Sequence, residues 1–349
     1  MSELPKTVFV GAGVSGVAYY RCFLPAVALG ANFAMWGHMP DRLAFAGGFG
    51  REPLRRSDLF DYDVVILQYA DGKHWFQLVR ELQDAGITVL YEIDDYVHNL
   101  HKAKGHEASR AFAPERLRRM ELVMRATDGI IASTAYIARR YRSFNPRTWE
   151  CGNGIDLPRY ARPRPPRSGV TIGFAGGIGH KASLARWEPA LRAVLRARPE
   201  TRFVSVGYPA AEGFVEEFGP ERAIAYPSAD IEVYPASMSL FDVSIAPSAE
   251  NNQFRGKSDL RWLEASALGI PLVAHPDVYP EIEDGVTGLH ATTSEEAEAA
   301  LLRLVDDAFE RERIGRTAHE YVAEHRSIQA MSENWRTVLN EVRAPAAVA

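Results

Sequence analysis

The sequence predicts an α/β protein of two facing, Rossmann-like doubly wound domains, with a C-terminal helix that packs back on the first domain. Three observations predict this fold. Short apolar strands alternate with helical segments along almost the whole chain. The alternation begins with a strand that enters a glycine-rich turn at Gly11–Gly16, and it restarts in the same way at Gly176–Gly179. A length of 349 residues suits two domains better than one.

The composition is that of an ordinary soluble protein, with 46% hydrophobic and 24% charged residues. The net charge of −5 gives no sign of a general affinity for nucleic acid or anionic membranes. Two cysteines cannot build a disulfide framework, and the first residues lack the apolar core of a signal peptide. No apolar run approaches the ~20 residues that cross a bilayer. We therefore expect a cytoplasmic protein without an integral membrane segment.

The first domain is predicted to span residues 1–160. Its first turn matches the G-x-G-x-x-G pattern between a strand and a helix, which is typical of nicotinamide or flavin dinucleotide sites. The second strand, however, ends in Gly37-His38-Met39-Pro40 rather than in an acid for the adenosine ribose, and Asp41 comes only after the proline. A turn that brings backbone N–H groups close to another ligand, and a purely structural tight turn, both remain open. The predicted strands are Thr7–Val10, Asn32–Trp36, Asp63–Gln68, Ile87–Glu92, Gly129–Thr134 and one starting at Thr148; the predicted helices are Val17–Leu29, Trp75–Gln83, Glu115–Ala126 and Ala135–Tyr141.

Two adjacent carboxylates, Asp94 and Asp95, follow the fourth predicted strand at its carboxyl end, where open parallel sheets collect their ligands. His98 and His101 come closely behind them. Such a group can hold sugar hydroxyls, take part in proton transfer or bind a metal. A metal is the least favoured of these, because adjacent residues at a strand end point in opposite directions. A solvated turn followed by a helix cap is the structural alternative.

A linker is predicted at residues 161–169, inside a stretch of twelve residues with four prolines and four arginines. The second domain is predicted over 170–326, and 327–349 is predicted to be a crossover helix and a frayed tail. In this helix Trp335 and Leu339 stand at i and i+4, so it should pack against a neighbour. The predicted strands are Val170–Gly176, Phe203–Tyr208, Ile224–Pro227, Phe241–Ala246 and Leu272–His275; the predicted helices are Ala182–Ala197, Ser258–Leu268, Ser294–Asp306, Arg311–Glu324 and Ile328–Val342.

The stretch Lys257–Pro271 reads as a loop feeding a helix that ends at a Gly and a Pro. If Ser258 caps this helix, Lys257 stands at its N-terminal end and Glu264 lies on nearly the same face, about 10 Å away along the axis. This pair suits a nucleoside diphosphate, because a cation and a helix N-terminus favour phosphates and a carboxylate accepts ribose hydroxyls. The alternative is a surface helix in which Glu264 pairs with Arg261 at i,i+3.

Taken over both halves, the chain resembles the GT-B glycosyltransferases and is most similar to the large retaining group known as glycosyltransferase family 4. The resemblance spans nearly the whole chain. It is carried by the two glycine turns, by Asn153–Asp156 before the linker, by the block Lys257–Ala274, and by Glu283–Leu289, which resembles the family's E-D-G-x-T-G-L element.

The resemblance implies transfer of a sugar, with retention, from a nucleoside-diphosphate sugar such as a UDP- or GDP-sugar. It implies neither a metal nor a tightly bound cofactor. The acceptor can be a glycan, a lipid, a natural product or a modified nucleic acid. Glu264 matches the second glutamate of the family's pair and would hold the ribose, and Lys257 would lie on the diphosphate. The full set of predicted site residues is Gly177, His180, Lys181, Lys257, Ser258 and Glu264 for the donor, Gly13, Val14 and Ser15 near the transferring sugar, and Asp94, Asp95 and His98 on the acceptor side, with Asp94, Asp95, His98 and Lys257 as catalytic candidates.

The sequence departs from the family's pattern at two places. The first glutamate of the pair would fall at Gly256, and the element G-R-x-x-x-x-K-G is absent because Gly177–His180 stands there. Three alternatives therefore remain beside a hexosyltransferase. They are a sugar-nucleotide-binding protein that has lost catalysis, a sugar-nucleotide epimerase of the same architecture, and, less favoured, an oxidoreductase that uses NAD or FAD.

Overall fold

The computed structural model describes residues 4–39, 42–46, 49–100, 111–162, 168–248 and 256–343. The chain divides into two compact units. Unit 1 comprises Met1–Gly154, Gly256–Ser258 and Ile328–Ala349, and unit 2 comprises Ile155–Arg255 and Asp259–Ser327. The predicted linker at 161–169 falls within unit 2. Its residues 163–167 lie outside the described residues, as do Asp41, His101 and the tail 344–349.

A seven-stranded sheet forms the centre of unit 1. Its strands are β1 (Thr7–Gly11), β2 (Asn32–Met39), β3 (Arg42–Ala46), β4 (Val64–Gln68), β5 (Thr88–Ile93), β6 (Gly129–Ala132) and β7 (Thr148–Glu150). The order across the sheet is β3-β2-β1-β4-β5-β6-β7. All neighbours are parallel except β2 and β3, which pair antiparallel at the edge. Strand β3 is not predicted from the sequence, because five residues just after a proline show too little alternation of apolar and polar side chains to indicate an edge strand.

Helices cover this sheet because their apolar residues recur at helical spacing. In Lys73–Asp84, for example, Trp75, Leu78, Val79 and Leu82 are all buried. The predicted helix Val17–Leu29 contains a π-helical turn, where Pro25 has no N–H to bond to the carbonyl of residue 21. The helices of this part are α1 (Gly16–Ala18), the π-helical turn Tyr19–Phe23, α2 (Leu24–Leu29), the 3₁₀ turn Arg56–Asp61, α3 (Lys73–Asp84), α4 (Val97–Leu100), α5 (Pro114–Ala126) and α6 (Ala135–Tyr141).

Unit 2 repeats the plan with a six-stranded, all-parallel sheet. Its strands are β8 (Thr171–Gly176), β9 (Arg202–Gly207), β10 (Ala223–Tyr226), β11 (Val243–Ala246), β12 (Leu272–Ala274) and β13 (Leu289–His290), in the order β10-β9-β8-β11-β12-β13. Its helices are α7 (Leu157–Tyr160), the 3₁₀ turn Ile178–His180, α8 (Lys181–Ala197), the 3₁₀ turn Ala210–Phe214, α9 (Val215–Phe218), α10 (Tyr234–Met238), α11 (Leu260–Ala267), α12 (Ser294–Asp306) and α13 (Ala308–His325).

The last helix, α14 (Ile328–Arg343), packs back on unit 1, as the sequence predicts. Its Trp335 is 1% exposed, and the centroid of its ring lies 5.3 Å from that of Phe9 in β1. The chain reaches the start of this helix beside Gly154, where a Cβ atom would stand 2.7 Å from the Cα of Ile328. Glycine is therefore required at this close approach.

None of the helices within the described ranges is long and apolar enough to cross a membrane.

Candidate functional site

The first glycine turn closes tightly against the sheet of unit 1. A Cβ atom on Gly11 would lie 3.1 Å from both the Cβ of Ala18 and the ring of Phe33, so a larger residue there would displace one of these neighbours. Ser15 caps α1, because its Oγ accepts a hydrogen bond from the N–H of Ala18 at 3.1 Å. Val14 is 77% exposed. Of these two candidates, only Val14 presents its side chain freely to solvent.

A buried polar network is hydrogen-bonded to this turn. The backbone N–H of Ala12 donates to Oε1 of Gln68 at 2.9 Å, and Nε2 of Gln68 donates to Oε2 of Glu92 at 2.8 Å. Arg21, on the π-helical turn, donates from Nε to Oε1 of Glu92 at 2.6 Å, and both side chains are fully buried. Burial raises the pKa of Glu92, and the charge of Arg21 opposes that rise.

The same network reaches the segment Gly256–Ser258. Nη1 of Arg21 donates to the carbonyl of Cys151 at 2.6 Å and to Oδ1 of Asn153 at 3.1 Å. Nδ2 of Asn153 then donates to Oγ of Ser258 at 2.9 Å. Sequence reasoning missed Arg21 and its partner Glu92. The available signal was a charged residue inside each of two otherwise apolar segments, since such charges are buried only when paired.

Lys257 is bound to the predicted acceptor-side carboxylate Asp95. Its Nζ lies 2.8 and 2.9 Å from the two carboxylate oxygens, in a half-buried ion pair. The prediction that Ser258 caps the following helix is wrong: Asp259 stands at the N-cap of α11, and the Ser258 hydroxyl accepts from Asn153 instead. Lys257 therefore precedes the helix, and the argument that it shares a helical face with Glu264 falls with the cap.

Gly256, where the pattern of glycosyltransferase family 4 has a glutamate, packs against Tyr96, which precedes α4, and against α6 of unit 1. A Cβ atom there would lie 3.1 Å from the Cβ of Tyr96 and 3.5 Å from the ring of Tyr136. Gly256→Glu should therefore lower the free energy of unfolding by about 1–3 kcal/mol, because the larger side chain overpacks this contact. Urea unfolding measures the loss. A Gly256→Glu variant as stable as the wild type would contradict the packing.

Asp94 lies at the carboxyl end of β5 with a different set of partners. Tyr69 donates a hydrogen bond to its Oδ1, and Tyr69 itself has φ of +51°, a left-handed conformation that non-glycine residues rarely adopt. Burial, with the nearby charges of Asp95 and Glu92, raises the pKa of Asp94 to about 7, and Tyr69 and Lys257 oppose this rise. Its carboxyl group therefore changes charge near neutral pH.

His98 is tied into the packing of α5 and α6. Its Nδ1 lies 3.2 Å from Oη of Tyr141, and its Nε2 lies 3.1 Å from Oε1 of Glu121. Its ring also stacks on Phe144, with 5.0 Å between centroids. Both ring nitrogens are thus engaged, which favours a packing role for His98 over proton transfer. His101, which the sequence analysis placed beside it, lies outside the described residues.

In unit 2, the second glycine turn lies against an arginine. A Cβ atom on Gly176 would stand 2.4 Å from Nη2 of Arg261, whose guanidinium lies over the ring of Phe174 at 5.2 Å. Arg261 makes no ion pair with any carboxylate that the structure describes. The sequence analysis considered this residue only as a partner of Glu264. The structure instead places its guanidinium against Gly176, at the carboxyl end of β8.

The predicted donor residues of this turn lead directly into α8. Gly177 has open space where a Cβ atom would stand, His180 ends the 3₁₀ turn with its ring 6.5 Å from that of Phe174, and Lys181 is the first residue of α8. The N-terminal end of a 17-residue helix and the guanidinium of Arg261 therefore meet at the carboxyl end of one central strand. Both favour an anion such as a phosphate group.

Glu264 lies on α11 and is only 4% exposed. Its Oε2 accepts a hydrogen bond from Oη of Tyr234 at 3.2 Å. Burial, together with the carboxylate, raises the pKa of Tyr234 well above its usual value. Burial also raises the pKa of Tyr279, on which Arg261 and Glu264 act as neighbouring charges, to about 12. The carboxylate is therefore buried and accepts a hydrogen bond from Tyr234, an environment in which it can also accept hydrogen bonds from a ligand's hydroxyl groups.

No group of three His, Cys, Asp or Glu side chains lies close enough to hold a metal ion within the part of the chain that the structure describes.

No protein-family model and no curated protein sequence match this chain. Solved structures match its fold. Anabaena HepE in complex with UDP-glucose has a TM-score of 0.66 at 14% identity, covering 98% of this chain and 100% of its own. Sucrose-phosphate synthase from Thermosynechococcus elongatus has a TM-score of 0.68 at 15% identity, over 97% and 99%. A Listeria monocytogenes chain provisionally named UDP-N-acetylglucosamine 2-epimerase has 0.53 at 13%, over 94% of each. The predicted GT-B fold of two Rossmann-like domains is thereby confirmed.

Proposed function

We propose that this protein is a glycosyltransferase that moves a sugar from a nucleoside-diphosphate sugar to an acceptor hydroxyl. The observation that carries the proposal is the arrangement in unit 2. There the open turn at Gly177, the cation of Arg261, which pairs with no carboxylate of the described residues, and the buried carboxylate of Glu264 follow strands of one sheet. Cations and a helix N-terminus stabilise a diphosphate, and a fixed carboxylate accepts both ribose hydroxyls.

The fold comparison supports this choice of ligand. HepE, which shares the fold over nearly its whole length, was solved with UDP-glucose. We therefore propose a UDP- or GDP-sugar as the donor and a hexose as the transferred group. The resemblance to glycosyltransferase family 4 supports retention of the anomeric configuration without a metal, and the proposed compartment is the cytoplasm. The acceptor is a glycan, a lipid, a natural product or a modified nucleic acid.

In the proposed reaction, the bond between the anomeric carbon and the β-phosphate oxygen breaks, and its electron pair leaves with the diphosphate. Arg261, with His180 and Lys181 beside it, stabilises this developing charge. The acceptor oxygen forms the new bond, and its proton passes to the departing phosphate. Asp94, which is ionised above about pH 7, accepts a hydrogen bond from the acceptor hydroxyl and orients it.

Lys257 has a different part in this scheme from the one that the sequence suggests. Its ammonium is already neutralised by Asp95, so it reaches a phosphate only by exchanging one anion for another. We propose that Lys257 and Asp95 mainly fix the segment Gly256–Ser258 to unit 1, and that the turn residues Gly13, Val14 and Ser15 lie near the transferred sugar. This arrangement, with Gly256 in place of a glutamate, also favours a second candidate, a sugar-nucleotide-binding protein without catalysis.

Thermal unfolding with UDP, GDP, ADP and dTDP tests the ligand class, because only a ligand that binds the native state raises the midpoint. We expect UDP or GDP to raise it. A rise with NAD or FAD and with none of the four nucleotides would refute the proposal in favour of an oxidoreductase. Among binders, formation of a glycoside supports transfer, an epimerised sugar nucleotide supports the epimerase, and binding without turnover supports the noncatalytic candidate.

Glu264→Ala is expected to weaken nucleotide binding by about 1–3 kcal/mol, because the ribose hydroxyls lose their acceptor. Titration calorimetry with the nucleotide that gives the largest thermal shift measures the change. Glu320→Ala is a matched control, since Glu320 is an exposed carboxylate on α13. Equal affinity of a folded Glu264→Ala variant and the wild type would count directly against a ribose contact.

A further inference from the structure

The surface formed by α5, α6 and the turn after α6 is strongly basic in an acidic protein. Residues 114–147 contain eight arginines, no lysine and three carboxylates, whereas the whole chain has a net charge of −5. Two of the arginines, Arg116 and Arg119, share the single carboxylate of the buried Asp71, which offsets one of their two charges. The surplus of positive charge therefore belongs to α5, α6 and the residues that follow them, and a local basic surplus is typical of surfaces that bind polyanions.

Four of these arginines form what we call the arginine face: Arg125, Arg139, Arg140 and Arg142. All four are exposed, and none makes an ion pair with a carboxylate in the described ranges. Nη1 of Arg125 donates to the carbonyl of Ser143 at 3.3 Å, which brings the end of α5 against the end of α6. These four residues thus stand at the C-terminal ends of α5 and α6, where no carboxylate of the described ranges pairs with them.

An aromatic cluster connects the arginine face to the carboxylates at the end of β5. The guanidinium of Arg140 lies 5.1 Å from the ring of Tyr136 and 5.8 Å from that of Tyr96, which directly follows Asp95. The ring of Tyr96 lies 6.2 Å from that of His98, which stacks on Phe144. Arg125 covers Phe144 at 4.9 Å. A continuous series of contacts therefore leads from Asp95 to both ends of the arginine face.

We infer that the arginine face binds an anionic glycan chain, one that carries phosphate or carboxylate groups, and that this chain is the acceptor. The inference rests on the proposed glycosyltransferase function. Arginine presents a planar fork of donors that matches phosphates and carboxylates in pairs, and its exclusive use here favours that geometry over a diffuse lysine surface. The end of the chain lies at Asp94 and Asp95, and the following residues run across α6 towards Arg125.

Two other polyanions fit the surface less well. Leu122 is the single large apolar side chain of α5 and α6 that is strongly exposed, at 46%, so the face offers little for insertion into a lipid surface. Binding of single-stranded nucleic acid needs open ring faces on which bases stack. Here the faces of Tyr136 and Phe144 are occupied by Arg140, Arg125 and His98.

The test compares labelled phosphomannan, polygalacturonate and neutral dextran in fluorescence anisotropy titrations of the full chain at low and high salt. We expect at least one anionic glycan to bind, dextran not to bind, and the affinity to fall steeply with salt. Arg140→Glu/Arg142→Glu should weaken binding at least about tenfold, through lost and reversed charge. Arg51→Glu/Arg80→Glu is the matched control, because it reverses two exposed arginines elsewhere on unit 1 and should leave the affinity unchanged.

Failure of this inference can be separated from failure of the proposed function. The arginine variants must retain the nucleotide-induced thermal shift of the wild type, which reports on unit 2 and on folding. With that shift intact, binding of neither anionic glycan, or equal losses in the two double variants, overturns the inference. Tighter binding of single-stranded DNA or phosphatidylglycerol vesicles than of both glycans also overturns it. If no nucleotide shifts the wild type, the proposed function fails and the acceptor role fails with it.

Discussion

Arg21→Met is expected to lower the free energy of unfolding by about 3–5 kcal/mol, because it removes one partner of a fully buried ion pair. Glu92 would then be left in the core with Gln68 as its remaining partner. Asn153 and the carbonyl of Cys151 would lose a donor at the same time. The methionine keeps most of the apolar contact with Trp335, so the loss reports mainly on the polar network.

Urea unfolding of the wild type, Arg21→Met, Glu92→Gln and the double variant gives the coupling between the two side chains. The double variant should recover part of the loss, because no charge remains buried without a partner. Arg196→Met is the surface control: Arg196 pairs with Glu217 in an exposed ion pair, and its loss should change the free energy of unfolding much less than the loss of Arg21. A similar small loss for Arg21→Met would show that the core pair is not structurally important.

The Arg21 network also shows that local sequence patterns do not predict contacts between residues far apart in the chain. The apolar periodicity of single segments predicts most strands and every α-helix longer than five residues, but not β3, β13 or the short helices α4, α7, α9 and α10, since it depends on neighbours two to four residues apart. The pairing of Arg21 with Glu92 and Asn153 joins residues 71 and 132 positions apart, and no local pattern contains it. The same limit explains the wrong cap at Ser258, whose hydroxyl is engaged by a residue 105 positions away.

The candidate site was predicted unevenly for the same reason. Glu264 could be proposed from its place in a helix that follows a buried strand. Arg261 looked like its i,i+3 partner, because the sequence does not show that Gly176 leaves room for a guanidinium beside Phe174. Tyr234 and Tyr279, the two tyrosines near Glu264, belong to other segments, and no sequence pattern connects them with it. At Gly176 the missing side chain leaves space that the guanidinium of Arg261 occupies, and the sequence alone does not show this.

Asp94→Asn is expected to lower kcat/KM for the acceptor by about 10–100-fold, because a charge-assisted hydrogen bond to the acceptor hydroxyl is lost. In the wild type the ionised carboxylate is the active form. Activity should therefore rise with pH through a midpoint near 7, the pKa that burial and the charges of Asp95 and Glu92 give this group. The remaining activity of the variant should no longer show this midpoint in its pH profile. An unchanged pH profile in Asp94→Asn would assign the titration to another group.

The free energy of unfolding of the wild type is expected to fall as the pH rises, whereas the activity is expected to rise. The folded-state pKa of Asp94 is about 7 and the unfolded value is about 3.9, so the folded state binds more protons between these two pH values. The stability that protonation of Asp94 contributes is present below about pH 4 and is lost as the pH rises through 7. Asp94→Asn removes this loss. Between pH 4 and pH 8 the free energy of unfolding of the variant, relative to that of the wild type, should rise by on the order of 2 kcal/mol. Solvent at this half-buried site makes the effect smaller than the full pKa difference would give.

The two expectations for Asp94 together separate a functional carboxylate from a structural one. A carboxylate kept for stability becomes more favourable when ionised, as at Asp58, whose pKa the contact with Arg55 lowers. Asp58→Asn should therefore lose stability above pH 4, where Asp94→Asn gains it. A destabilising acid at the end of a central strand persists where function requires it. If Asp94→Asn loses stability at pH 8 while keeping its activity, Asp94 belongs with the structural carboxylates and the acceptor hydroxyl must be oriented by another group.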